Sequence, residues 1–375
     1  MQKKPNIIII GGGLAGLTSA IVLAKADFNV TLIERKKFPF HRVCGEYVSF
    51  EVLPFLQSIG FNPKDFNAAT ISKLVVTSPT GNALKADLSL GAFGLSRYEL
   101  DNALYQIALK EGVNFLLETK VLDVVFDNEK FRIETTTQVL QTDLAIGAFG
   151  KRSNLDQKLK RKFFYQRSPY LGVKYHIKSD FPTDTIQLDN FKGGYCGISK
   201  IENDLYCLCY LIENSYLKTF GSVAKMEQQI LYKNPHLGHH FKNATFVWDQ
   251  PETINEISFE KKSLIENHIL MCGDTAGMIA PLCGNGMAMA IHSGKILADH
   301  IIQFCSEGID PRKRKSLEEN YQAQWNQVFA LRLKIGRGIQ TLFGNEILTQ
   351  IIVSGLKKFP SLTEAMVNKT HGKPF

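Results

Sequence analysis

Ile7-Ile8-Ile9-Ile10-Gly11-Gly12-Gly13-Leu14-Ala15-Gly16 is the stretch on which the fold turns. Four β-branched residues ended by glycine read as a short parallel strand buried on both faces. Leu17, Ala20, Ile21 and Ala24 then recur at the spacing of an amphipathic helix, and Asn29-Val30-Thr31-Leu32-Ile33-Glu34 supplies a second parallel strand. Inside this unit Gly11, Gly13 and Gly16 form Gly-x-Gly-x-x-Gly. Their tasks are a tight turn, close backbone approach to a pyrophosphate, and close helix–strand packing. The helix start offers unpaired N–H groups and a favourable dipole to an anion. Glu34, 23 positions after Gly11, is where an acid is needed to bind both hydroxyls of an adenosine ribose; it also repels a 2′-phosphate, so this site rejects NADP.

A chain of 375 residues is too long for one small core and implies two or three domains. With 44% hydrophobic and 21% charged residues it is neither a disordered nor a membrane composition, and no apolar run reaches bilayer length. Lys3-Lys4 followed by Ile7 to Leu23 imitates a signal peptide, but the glycines interrupt it and a strand–helix–strand unit is completed, so the segment reads as buried structure. The net charge of +8 is spread along the chain apart from Lys36-Lys37 and Pro311-Arg312-Lys313-Arg314-Lys315, which suits a phosphate-bearing ligand and argues against nucleic acid. Seven cysteines without a Cys-x-x-Cys pair indicate neither a disulfide framework nor zinc, and fit a reducing cytoplasm. Cys207 and Cys209 share one face of a strand, where core packing is the plain reading. His236, His239 and His240 have no nearby acid or cysteine in sequence, so no metal is expected.

Residues 71–88 read as a strand pair around Pro79-Thr80-Gly81-Asn82, and Ser96 with Glu99 has capping-box spacing at a helix start. Residues 166–255 are rich in β-branched and aromatic strands, Ile269-Leu270-Met271-Cys272 is another buried strand, and 311–375 is mostly helical. These segments divide the chain into a discontinuous nucleotide domain (1–70, 96–165 and 256–310), a substrate domain (71–95 and 166–255) and a C-terminal helical segment (311–375).

A second informative run is Gly273-Asp274-Thr275-Ala276-Gly277, followed by Pro281 and then Gly284-Asn285-Gly286-Met287-Ala288-Met289-Ala290. Arg42-Val43-Cys44-Gly45-Glu46 and Ser96-Arg97-Tyr98-Glu99-Leu100-Asp101 complete the pattern. With these motifs the chain resembles the p-hydroxybenzoate hydroxylase superfamily of FAD enzymes, nearest the geranylgeranyl reductase and flavin-dependent halogenase branch, from Ile7 to about Ile302. The resemblance implies an α/β fold: a glutathione-reductase-like, doubly wound FAD domain, a mixed-sheet (α+β) substrate domain and C-terminal helices. It places FAD against Gly11, Gly13, Leu14, Ala15, Gly16, Glu34, Arg35 and Val121 at one end, with Arg97 reaching the phosphates or ribose. Arg42, Cys44 and Gly45 would lie beside the flavin, with Cys44 the candidate catalytic residue. Gly273 and Asp274 would hold the ribityl chain, and Gly284, Asn285, Gly286 and Met287 would point N–H groups at the pyrimidine side of the flavin.

Three departures bear on activity. Phe149 stands where the family carries an acid that helps bind FAD and, in hydroxylases, the pyridine nucleotide. The halogenases' Trp-x-Trp-x-x-Pro segment is absent, the only tryptophans being Trp248 and Trp325. Gly193-Gly194-Tyr195-Cys196-Gly197-Ile198 keeps the glycines and Tyr of the prenyl reductases' aromatic motif without its Trp and Pro. The resemblance thus implies an FAD-dependent monooxygenase that hydroxylates an apolar aromatic or polyketide-like small molecule through a flavin hydroperoxide, with NADH or NADPH as electron donor. Two alternatives stay open: an FAD-dependent reductase saturating alkenes of a prenyl-type substrate, and a non-catalytic flavin-binding protein. A stripe from Leu331 to Lys358, where Arg332, Lys334 and Arg337 alternate with Leu and Ile, is a candidate peripheral membrane contact, although such stripes usually pack on the protein's own core.

Overall fold

The computed structural model describes residues 4–166, 169–280, 284–342, 345–356 and 372–375; Pro281 and Lys358 lie outside them. Its first layer is a six-stranded sheet in the order Ile265–Glu266, Ile269–Met271, Leu144–Gly147, Asn6–Ile10, Asn29–Ile33 and Asn114–Leu116, parallel except at the first pair. Ile7 to Ile10 are buried between helices on one side and the rest of the core on the other, as a β-branched run without alternation requires.

The helix Leu14–Lys25 is not amphipathic as its spacing suggested. Most of its length is buried, including Thr18 and Ser19, because the long helix Gly286–Cys305 crosses it. Gly294 permits the crossing: a Cβ there would lie 2.4 Å from the Ala15 carbonyl, while Ser19 Oγ donates to the Gly294 carbonyl at 3.0 Å. The 3.6-residue pattern marks the inner face, and only the tertiary fold shows that the outer face is covered too.

The second layer is a nine-stranded mixed sheet containing Ala69–Thr77, Ala83–Gly94, Tyr170–Lys178, Thr185–Phe191, Gly194–Lys200 and Tyr206–Glu213. The turn at Pro79 to Asn82 joins the first two, and Gly81 there has φ of +90°, so glycine suits it. Ser96 caps the helix Arg97–Lys110 by accepting from Glu99 N at 3.2 Å, but its own N–H donates to Glu202, 106 residues away, so only half of the expected capping box forms.

One face of this sheet is covered by a helical insert that strand-rich composition hid: Asn214–Phe220, Val223–Ile230 and Pro235–Asn243. Under it lies Glu227, 5% exposed, accepting from Tyr175 and Tyr210 hydroxyls at 3.0 and 2.8 Å. Burial raises this carboxyl from 4.5 to about 7. The folded state therefore holds the proton more tightly than the unfolded chain. The resulting stabilisation is complete below pH 4.5 and is lost as pH rises through about 7. Glu227→Gln is expected to flatten this dependence and to raise stability at pH 8 by roughly 2 kcal/mol. Urea titrations at pH 5 and 8 test it, and equal pH slopes in the two proteins would refute the assignment.

The C-terminal helix Pro311–Leu342 packs along the first layer through Leu317, Tyr321, Trp325 and Phe329. In the Leu331–Lys358 stripe, Arg332 turns inward to Glu51 at 3.3 Å and Leu333 is buried, whereas Leu331 is exposed. Among the described residues no helix is long and apolar enough to cross a membrane.

Candidate active site

A cavity of about 1070 Å³ runs from the carboxyl ends of the parallel strands to the uncovered face of the mixed sheet. Open α/β sheets bind ligands at such strand ends. At the first strand the glycines divide their tasks as the turn demands. Gly11 has φ of +109° and an added Cβ would be 2.4 Å from the Ala148 carbonyl; a Cβ on Gly16 would be 2.0 Å from the Gly11 carbonyl. A Cβ on Gly13 would meet nothing within 4 Å, because Gly13 borders the cavity. Gly13 also begins the helix Leu14–Lys25 with no side-chain cap and no acid in the first turn, so the orphan N–H groups are available to an anion.

Glu34 is buried at the next strand end, accepting from Gly12 N at 2.9 Å, Lys36 N at 3.1 Å and Arg42 at 3.4 Å. A carboxylate has about four acceptor positions, so capacity remains for ribose hydroxyls. Arg42 and Arg97 meet on Asp101: Arg97 binds it through two bonds of 2.6 and 2.7 Å, and Arg42 Nε donates at 3.0 Å. Both arginines still face the cavity, as do Leu14, Ala15, Arg35 and Val121.

Across the cavity, Gly273 and Asp274 follow the strand Ile269–Met271. The Asp274 carboxylate borders the cavity with no protein hydrogen-bond partner among the described residues. Burial raises its pKa, opposed by Lys262 and Arg97. The helix Gly286–Cys305 starts here, again with no side-chain cap, and Gly284, Gly286 and Met287 line the same space. Asn285 does not: it is buried behind the turn, its Nδ2 donating to Glu51 at 3.4 Å. Gly16 likewise packs the helix against the strand turn and does not face the cavity.

Two uncapped helix starts, an open glycine and an unpartnered carboxylate within one cavity are what an FAD molecule requires of its cradle: N–H donors for pyrophosphate and flavin, and an acceptor for ribityl hydroxyls. Asp274→Asn is accordingly expected to lower FAD occupancy of purified protein at least tenfold while leaving the apoprotein's melting temperature unchanged or higher, since a buried charge is removed. Undiminished flavin content in the variant would overturn this role.

Phe149, in the place of the family's acid, also borders the cavity, and the loop around it is held instead by Thr275, whose Oγ1 accepts from Gly150 N at 2.8 Å. Beside it the Lys151 ammonium is pushed down to about 8 by burial.

The loop Arg42 to Glu46 separates the cavity from a buried polar cluster that sequence reading missed. Glu46 takes φ of +53° and its carboxylate is fully enclosed. It accepts from Lys174 at 2.6 Å and from Arg97 N at 2.9 Å, and pairs with His176 Nε2 at 2.6 Å. Burial alone would raise this carboxyl, but the Lys174 ammonium and His176 hold it at about 2. Glu46, His176 and Cys207 lie within 4.8 Å of one another, a metal-like set, but the Lys174 ammonium already neutralises the carboxylate. The signal was available: Lys174 and His176 stand two apart on one face of a strand that is buried from Leu171 to Ile177.

Cys207 and Cys209 also point at this loop and not into the core, correcting the plain reading. Cys207 Sγ donates to the Cys44 carbonyl at 3.2 Å and Cys209 borders the cavity, while Tyr206, Leu208 and Tyr210 fill the core on the opposite face. The Cys44 thiol, half-buried at the cavity wall, is raised by burial, opposed by Arg97 and the Glu46 N–H. It stays protonated at neutral pH.

A parallel sheet joined to a mixed sheet over one cavity is the frame of an FAD-dependent oxidoreductase. The chain belongs to the FAD binding domain family, whose model matches residues 4–328. It is 23% identical over 373 residues to digeranylgeranylglycerophospholipid reductase 1 of Methanococcoides burtonii, spanning 94% of this chain and 84% of that protein. The flavin-dependent brominase Bmp2 superposes with a TM-score of 0.80 at 20% identity, over 98% of this chain and 93% of that one. PqsL, a probable FAD-dependent monooxygenase from Pseudomonas aeruginosa, does so at 0.73 and 16%, over 94% and 100%. The solved structures share the fold.

Proposed function

We propose that the protein is an oxygen-inserting FAD monooxygenase acting on an apolar small molecule bound between the mixed sheet and the flavin. The carrying observation is the wall of the cavity beyond Cys44 and Gly45. Leu74, Val76, Ile186, Leu188, Tyr195 and Leu211 line it, and no Asp, Glu, Lys or Arg does so on these strands. Bound FAD supplies a two-electron reductant that activates molecular oxygen. The apolar wall excludes water from the reacting centre, which protects reactive species from side reactions, and the uncapped start of the helix Gly286–Cys305 offers N–H groups to negative charge on the reduced ring. NADH or NADPH is the proposed donor.

A second reading, saturation of an alkene, is favoured by Cys44: a thiol kept protonated by burial at the flavin-side loop can deliver a proton to carbon. Turnover under ¹⁸O₂ decides between them. One labelled oxygen atom in the product is expected; an anaerobic product heavier by two hydrogens would install the reductase reading instead.

A further inference from the structure

We propose that Lys262 is a positioning residue of the flavin clamp: from behind the cavity its ammonium ties the turn carrying Asp274 to the loop carrying Phe149, and so sets the affinity for FAD. Lys262 holds this place whichever reaction the flavin runs.

Two neighbouring parallel strands create the need for such a tie. Leu144–Gly147 and Ile269–Met271 pair through Ile146 with Leu270 and Gly147 with Met271, and Cys272 N then donates to the Gly147 carbonyl at 3.0 Å. Past that bond the two segments are joined through side chains. Thr275 Oγ1 accepts from Gly150 N at 2.8 Å, and Lys262 Nζ donates to the Lys151 and Asp274 carbonyls, each at 2.7 Å. Arg161 donates to the next carbonyl, that of Thr275, at 3.0 Å, and to the Ser263 carbonyl at 2.7 Å. Consecutive carbonyls of the Gly273–Thr275 turn thus each rest on a buried cation, and neither cation borders the cavity. Bonds with an ionised donor are the strong ones. With its carbonyl so fixed, the Asp274 backbone has little freedom to turn, and its carboxylate stays aimed at the cavity.

The surroundings of Lys262 make this tie depend on a proton. Two of the three ammonium protons go to the carbonyls, and the centre of the Phe163 ring lies 4.4 Å from Nζ. Among the described residues no carboxylate pairs with it; Asp156 is taken by Arg161 at 2.8 Å. Burial pushes the ammonium down to about 8; of the charged groups that face it, Asp274 and Asp156 favour its charge, while Arg161 and Lys151 oppose it. The pyrophosphate of bound FAD adds negative charge to the cavity and favours the protonated form. Affinity for FAD is therefore complete below pH about 8 and falls above it, by at most about tenfold per pH unit for one proton.

Dissociation constants for FAD, measured by fluorescence quenching on flavin-free protein between about pH 6.5 and 9.5, test the assignment. The wild-type constant should stay level to about pH 8 and then rise roughly tenfold or more. Lys151→Met removes a neighbouring ammonium, also pushed down to about 8, but keeps the carbonyl that Lys262 binds, so the rise should persist. Lys262→Met should weaken FAD binding about tenfold at pH 7, the worth of a bond to a charged group, and should show no rise. Lys262→Arg should bind FAD more tightly than Lys262→Met at pH 7 and stay level throughout, because a guanidinium keeps its proton. Thermal melts of the flavin-free proteins report whether each variant folds, and the wild-type and Lys151→Met profiles decide the matter even where Lys262→Met does not. A wild-type constant level across the range, a rise lost in Lys151→Met, or a folded Lys262→Met protein that binds FAD as wild type does would overturn the role of Lys262.

Discussion

Replacing Glu46 with Gln is expected to lower the free energy of unfolding at pH 7 by about 3–5 kcal/mol, the usual consequence of breaking a buried ion pair from one side. Lys174 is wholly enclosed, and its ammonium is kept charged against the penalty of burial by the Glu46 carboxylate. The amide retains shape but not charge, leaving a buried cation facing a neutral group. Urea unfolding gives the test: the midpoint should fall with little change in slope. Lys174→Met in the same chain should restore more than half of the loss, because the double variant buries no charge. The sign of the pH dependence follows from the lowered carboxyl. Its stabilisation is present above the ordinary 4.5 and lost as pH falls through about 2, so the gap between wild type and variant should narrow below pH 4.5. A loss under about 1 kcal/mol at pH 7 would mean that the pair contributes only geometry.

The second large effect separates cofactor binding from folding. Gly13→Asp should reduce FAD affinity at least about a hundredfold, since like-charge juxtaposition with a pyrophosphate costs several kcal/mol. The apoprotein's melting temperature should hardly change. Gly13 has φ of −84° and ψ of −178°, which any residue adopts, and its missing side chain points into open space. Gly16→Val should do the reverse of sparing the fold, because its first added carbon lands 2.0 Å from the Gly11 carbonyl and the strand turn must move. Fluorescence quenching of added FAD and thermal melts of both apoproteins distinguish the cases. A Gly13→Asp protein that keeps its flavin would remove the first glycine loop from the proposed site.

Local chemistry made much of the site legible in the chain. A β-branched run is a doubly buried strand only where both faces of its sheet are covered, and the spaced glycines answer a tight turn at Gly11, an open approach at Gly13 and close packing at Gly16, so Gly11 to Gly16 with Glu34 led to the parallel sheet that the structure contains. Gly273 with Asp274 and the glycines at 284 and 286 converge on the same cavity because strand ends and helix starts meet there. What escaped the reading depends on distance along the chain. Arg42 reaches Asp101, which Arg97 binds from the same helix, across 59 residues, and Glu46 meets His176 across 130.

The sequence by itself determined the class of fold, the nucleotide-facing turn and the chemistry of the residues around it, since these rest on periods of two and 3.6 residues and on turns that only glycine tolerates. Only the tertiary structure decided that the helix Leu14–Lys25 is covered on its outer face, that Cys207 and Cys209 face the flavin-side loop, that Asn285 turns away from the cavity, and that Glu46 has a buried lysine for its counter-charge. Each of these is a contact between distant segments, and a side chain's burial or charge partner is set by what the fold packs against it, which a local pattern does not contain.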